Sequence, residues 1–134
     1  MRILVIDDET FVREALQRVL AAPCVTVSAA ADASTGLAAM RQSPADLVII
    51  EAVLPGMDGV AAIKEIRRTY PAARIIAISG GGKSGLDAYR PEAILTSAYL
   101  AACRAAGADG TLAKPFETAE LRTMIARLLK EEHA

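Results

Sequence analysis

Five side chains suited to handling a phosphoryl group stand at the ends of apolar runs. Asp7 and Asp8 follow Ile3, Leu4, Val5 and Ile6. Glu51 closes Leu47, Val48, Ile49 and Ile50. Ser79 follows Ile75, Ile76, Ala77 and Ile78, and Lys114, with Pro115 and Phe116 behind it, ends the stretch 109–113. Taken singly these are weak signals. An acidic pair after a strand often caps the next helix, Ser79 reads as a loop hydroxyl and Lys114 as a solvated lysine. A third carboxylate from another strand end shifts the balance toward a hard-cation site. Mg²⁺ takes oxygen ligands and keeps several waters, so Asp7, Asp8 and Glu51 with the backbone carbonyl of Val53 suffice to hold it weakly. Beside such a site Ser79 can donate to a phosphate oxygen. Lys114 can serve both as an ion-pair partner and as a phosphate contact.

These residues are far apart in sequence, so a fold must gather them. The runs 2–6, 46–50 and 74–78 are continuously apolar, as strands buried on both faces must be, and 24–29 and 110–113 are weaker strand candidates. Between them Val12, Ala15, Leu16, Val19 and Leu20 keep helical spacing, as do Val60, Ile63 and Ile66, and Leu121, Met124, Ile125, Leu128 and Leu129. Segments 33–42 and 92–106 are alanine-rich helix candidates, and Gly107 stands where a helix needs a left-handed stop. Five βα units in succession imply a parallel sheet with helices on both faces. In such a sheet ligands sit beyond the carboxyl ends of the strands, which is where all five side chains fall.

Bulk properties narrow the function. The 134 residues make one domain able to bury a core, and 53% hydrophobic content is that of a folding chain. Fifteen basic against sixteen acidic residues leave a net charge of -1, with no Lys/Arg run that would favour nucleic acid as a partner. No apolar run is long enough to span a bilayer, and the N-terminus lacks a signal-peptide layout, so a cytoplasmic protein is expected. Cys24 and Cys103 have no metal or redox spacing and read as free, mostly buried thiols. His133, the only histidine, reads as a tail residue.

The stretches VIDDE at 5–9, DLVIIEAVLPGMDG at 46–59, AISGG at 77–81 and GADGTLAKPF at 107–116 together resemble the receiver domain of two-component response regulators. The resemblance covers nearly the whole chain in order. It implies a flavodoxin-like, doubly wound, three-layer α/β fold whose five-stranded parallel sheet has strand order 2-1-3-4-5. It also implies that Asp7 and Asp8 hold Mg²⁺, that Ser79 is the switch hydroxyl, that Lys114 contacts the phosphoryl group, and that Glu51 occupies the phosphoacceptor position. The expected partners are a histidine kinase or phosphotransfer protein and a downstream protein target, with a possible homodimer. The face formed by 92–106, 109–113 and 117–131 is expected to carry these contacts, with Tyr99 and Arg122 as candidates. Residues 1–134 are expected to form a single receiver with no output domain.

Three departures from the family pattern stand out. Glu51 replaces an aspartate and carries its carboxylate about 1.5 Å further out, which crowds the place of an incoming phosphoryl group or imitates one already attached. Thr111 stands where many members carry an aromatic switch residue, so any rotamer switch there is small or absent. The segment 80–91 is long and glycine-rich, and a flexible loop at the rim of the acidic pocket is expected. Two functions follow: a kinase-controlled signalling receiver, or a phosphorylation-independent binding module. An enzyme fits worse. A phosphohydrolase of this topology needs a second acid two residues after its nucleophilic aspartate, whereas here Asp7 and Asp8 are adjacent and Glu9 follows.

Overall fold

The computed structural model describes residues 1–80 and 91–131. The elements alternate along the chain: β1 (Arg2–Ile6), α1 (Thr10–Leu20), β2 (Thr26–Ala30), α2 (Ala33–Gln42), β3 (Leu47–Glu51), α3 (Gly59–Thr69), β4 (Arg74–Gly80), α4 (Pro91–Ala106), β5 (Gly110–Lys114) and α5 (Thr118–Glu131). The five strands form one sheet in the order β2-β1-β3-β4-β5, and every pairing is parallel. The expected doubly wound, flavodoxin-like fold is therefore the one observed.

Strand alternation divides the core between the two faces of the sheet. Leu4, Ile6, Val48, Ile50, Ile75 and Ala77 pack with residues of α2, α3 and α4. Ile3, Val5, Leu47, Ile49, Ile76, Ile78 and Leu112 pack with α1 and α5. All five residues of β3 are buried, as befits the central strand. The edge strand β2 is half exposed and begins at Thr26, two residues later than its apolar pattern suggested. Cys24 lies in the turn before it, with a positive φ of 66°, and is exposed, so the expectation that both thiols are mostly buried holds only for Cys103.

Local signals set the helix ends. Asp32 and Asp58 cap α2 and α3 by accepting the amides of Thr35 and Ala61 at 2.7 Å each. Gly107, at φ +128°, ends α4 as expected. Gly59 is required by close approach: a Cβ there would lie 2.3 Å from the Glu51 carbonyl oxygen, so the first turn of α3 rests on the end of β3.

Arg67, in the last turn of α3, ties together the opposite end of the sheet. Its guanidinium donates to the carbonyls of Gly107, Pro71 and Ala73 and to Asp109 Oδ2 at 2.7 Å. The same carboxylate oxygen accepts the Ile75 amide at 2.8 Å. Arg67→Ala is expected to cost about 2–3 kcal/mol, because it removes the nearer cation from the mostly buried Asp109 carboxylate and the donor from several carbonyls. A lowered urea midpoint at unchanged slope would show it.

Candidate functional site

The carboxyl ends of β1, β3 and β5 meet in one polar pocket centred on the ammonium of Lys114. Its Nζ donates to Glu51 Oε1 at 2.7 Å, to Asp7 Oδ2 at 2.9 Å and to Glu9 Oε1 at 3.3 Å. Asp7 is fully buried and the Glu51 side chain is 7% exposed, so two carboxylates lie almost out of water on one cation. Their remaining oxygens are also engaged. Asp7 Oδ1 accepts the Glu9 amide at 2.9 Å, and Glu51 Oε2 accepts the Val53 amide at 3.2 Å. Arg13 braces the rim by donating to the Asp7 carbonyl at 2.8 Å and to Thr10 Oγ1 at 3.0 Å. The peptide bond from Lys114 to Pro115 is cis.

Burial and pairing oppose each other here. Burial disfavours the charge on Lys114, yet its hydrogen bonds to Glu51 and Asp7 outweigh that and hold the ammonium above its ordinary 10.5. Burial also raises Glu51 above the usual glutamate value, and the Lys114 contact offsets only part of that rise. The ammonium is shared among three acids, so no single acid receives its full stabilisation.

The same alternation that divides the core decides which candidates converge. Asp7 continues the phase of Ile3 and Val5, Glu51 that of Leu47 and Ile49, and Lys114 that of Leu112, all on the α1–α5 side. Ser79 continues the phase of Ile75 and Ala77 on the other side. It is buried, and among the described residues no hydrogen bond joins its hydroxyl to Glu51 or Lys114.

Asp8 is exposed and makes no hydrogen bond or ion pair among the described residues. Asp8 therefore takes no part in the web on Lys114. Glu9, which carries no site role in the sequence pattern, takes the third place on the ammonium. The run of three acids was its only signal. Glu9 is also the N-cap of α1, and its side chain makes no capping bond. Val53 meets Glu51 through its amide, whereas the sequence pointed to its carbonyl as a metal ligand. Thr111 lies near the start of β5, where its Oγ1 accepts a hydrogen bond from Arg104 of α4 at 3.0 Å. Among the described residues no group of three or more Asp, Glu, His or Cys side chains is disposed to hold a metal ion.

On the expected contact face, Tyr99 of α4 is 40% exposed. Arg122 is turned away from that face, since its guanidinium donates to the Val19 carbonyl at the end of α1 at 3.0 Å. Cys103 is buried in the α2–α4 core layer, and burial pushes its thiol up to about 11. Residues 81–90, expected as a mobile loop, and His133 lie outside the described residues; Gly80 itself closes β4. No described helix is long and apolar enough to cross a membrane.

A five-stranded parallel sheet with acids at the ends of β1 and β3 and a lysine at the end of β5 defines a class, and comparison with known proteins gives the same one. The response regulator receiver domain family matches residues 3–126, so the chain belongs to that family and is a receiver domain of two-component signalling. Among curated proteins it is 30% identical over 125 residues to the DNA-binding transcriptional regulator NtrC of Salmonella typhimurium, covering 93% of this chain and 24% of that protein. It is 29% identical to the response regulator MprA of Mycobacterium leprae, covering 97% of this chain and 51% of the relative. The chain thus spans between about a quarter and a half of these relatives. Among solved structures, the receiver domain of NtrX from Brucella abortus superposes with TM-score 0.79 at 28% identity, covering 96% and 98% of the two chains. A CheY-like receiver from Methanospirillum hungatei JF-1 superposes with TM-score 0.80 at 25% identity, covering 98% and 95%.

Proposed function

We propose that this receiver acts through protein–protein contacts in a two-component phosphorelay, as a signalling module and not as an enzyme, with Glu51 at the phosphoacceptor position and phosphorylation impaired. One observation carries this reading. The Glu51 carboxylate reaches Lys114 Nζ at 2.7 Å and fills the space between the strand ends where a phosphoryl group would be received. In-line transfer needs an acid set back from that space, with room for the donor in front of it.

The partners that fit are a histidine kinase or phosphotransfer protein upstream and a protein target downstream, in the cytoplasm. The α4–β5–α5 face is the proposed contact surface, or the dimer surface, with Tyr99 on it. Thr111, bonded to Arg104, gives this face no large rotamer switch of its own. A second reading is favoured by the closed ion-pair web on Lys114, which needs no phosphoryl group to hold the pocket together. In that reading the chain is a phosphorylation-independent binding module with a permanently set surface. Glu51 then imitates the phosphorylated state with about -1 of charge in place of about -1.5 to -2.

Two measurements test the impaired site and the contact surface. The intact mass of the chain after incubation with acetyl phosphate and Mg²⁺ should be unchanged; a gain of one phosphoryl group on Glu51 would overturn the impaired site. Sedimentation of the parent and of Tyr99→Ala tests the surface. Loss of self-association or of partner binding in Tyr99→Ala is expected, and identical behaviour would move the interface elsewhere.

A further inference from the structure

Receiver domains typically bind Mg²⁺ at the phosphorylation site, and the residues of this pocket do not fit that ion as they are arranged. Mg²⁺ wants near-octahedral oxygen ligands at short distance. Of the acids expected to supply them, Asp8 stands in solvent, and the facing oxygens of Asp7 and Glu51 are bonded to Lys114 Nζ. Their other oxygens accept the backbone amides of Glu9 and Val53. The centre toward which the carboxylates point already holds a positive charge.

We infer that Lys114 is the resident cation of this pocket, and that it excludes a divalent ion from the carboxylates of Asp7, Glu51 and Glu9. Glu51 makes this possible through its length. An aspartate at 51 would withdraw the carboxylate by about 1.5 Å, opening the 2.7 Å contact to Nζ and freeing an oxygen toward the acidic centre. Glu9 adds the third acceptor, so all three ammonium protons are directed at carboxylates. A divalent ion entering this web would meet a cation held within hydrogen-bond distance of the Asp7, Glu9 and Glu51 carboxylates. Like charges at such separations repel strongly where water is largely excluded. The chain is therefore folded and closed at this site without a metal, and its stability is indifferent to Mg²⁺.

The inference concerns the same pocket as the proposed function but does not depend on phosphoryl transfer, so its failure leaves the labelling result standing. The test is the thermal midpoint of the full chain in about 10 mM MgCl₂ against NaCl of matched ionic strength. The parent is expected to show no shift. Lys114→Met, which removes the resident cation, should gain Mg²⁺ affinity on the order of tenfold or more and shift upward. Should Lys114→Met fail to fold without metal, recovery of its far-UV circular dichroism on adding Mg²⁺ is the same result. Glu51→Asp, with Lys114 in place, is expected to gain a Mg²⁺ shift as well. A parent that responds as strongly as Lys114→Met overturns the inference. So does silence in all three proteins, which would mean that the carboxylates themselves refuse the metal.

Discussion

Glu51→Asp gains one phosphoryl group from acetyl phosphate in the presence of Mg²⁺, and the parent gains none. The expectation follows from where the parent's carboxylate sits. Its Oε1 is 2.7 Å from Lys114 Nζ, inside the space the incoming group must cross. The backbone cannot shift to relieve this, because Gly59 packs against the Glu51 carbonyl, where even an added Cβ would fall at 2.3 Å. Shortening the side chain therefore moves the carboxylate and nothing else. It opens room at the end of β3 and frees Lys114 to pair with phosphate oxygens. Adding Lys114→Ala to Glu51→Asp should abolish the label again. Equal labelling of parent and Glu51→Asp would refute the steric argument. No labelling in either would show a site altered beyond one residue.

The second large effect is on stability. Lys114→Met should destabilise the fold by about 3–5 kcal/mol, because it leaves two carboxylates without their cation in a place water hardly reaches. Asp7 is fully buried and the Glu51 side chain nearly so. Against a total of about 5–15 kcal/mol for a domain, that loss is severe. It should depend on pH with a definite sign. Burial holds the folded pKa of Glu51 above 4.5, so the folded chain takes up this proton more readily than the unfolded one. Acidification through that raised value favours the folded state, and the deficit of Lys114→Met should narrow there. In the parent, Lys114 has a folded value above its ordinary 10.5. Its contribution is fully present below 10.5 and is lost as pH rises beyond it. Urea titrations across pH would read both limbs. A loss under about 1 kcal/mol at neutral pH would mean that the pair is no better than a surface ion pair.

Much of this was legible in the chain, for identifiable reasons. The runs at β1, β3 and β4 are apolar without interruption because both faces of those strands are covered, so their placement could be read directly. Glu51 and Lys114 could be placed at strand ends for the same reason, and their contact followed from the length of the glutamate. Two things were not read. The start of β2 was missed because an edge strand is half exposed and its residues carry a mixed pattern. The contacts of Lys114 differ from the expected acids at Asp8 and Glu9. Strand phase points Asp7 inward, but past the end of β1 the turn into α1 sets each side chain's direction. That turn sends Asp8 to solvent and brings Glu9 back to Lys114.

The phase shared by Asp7, Glu51 and Lys114 has a consequence for how the chain can tolerate insertions and deletions. Each of these residues sits at the end of a strand whose earlier side chains are committed to one core layer or the other. Losing or gaining one residue inside β3 would exchange its two faces. The carboxylate would turn toward α3 and α4, and Leu47 and Ile49 would leave their layer. Replacing the residue at 51 changes only what the pocket holds, whereas changing the count of residues before it removes the pocket altogether. The site is thus open to point substitution and closed to a change in length.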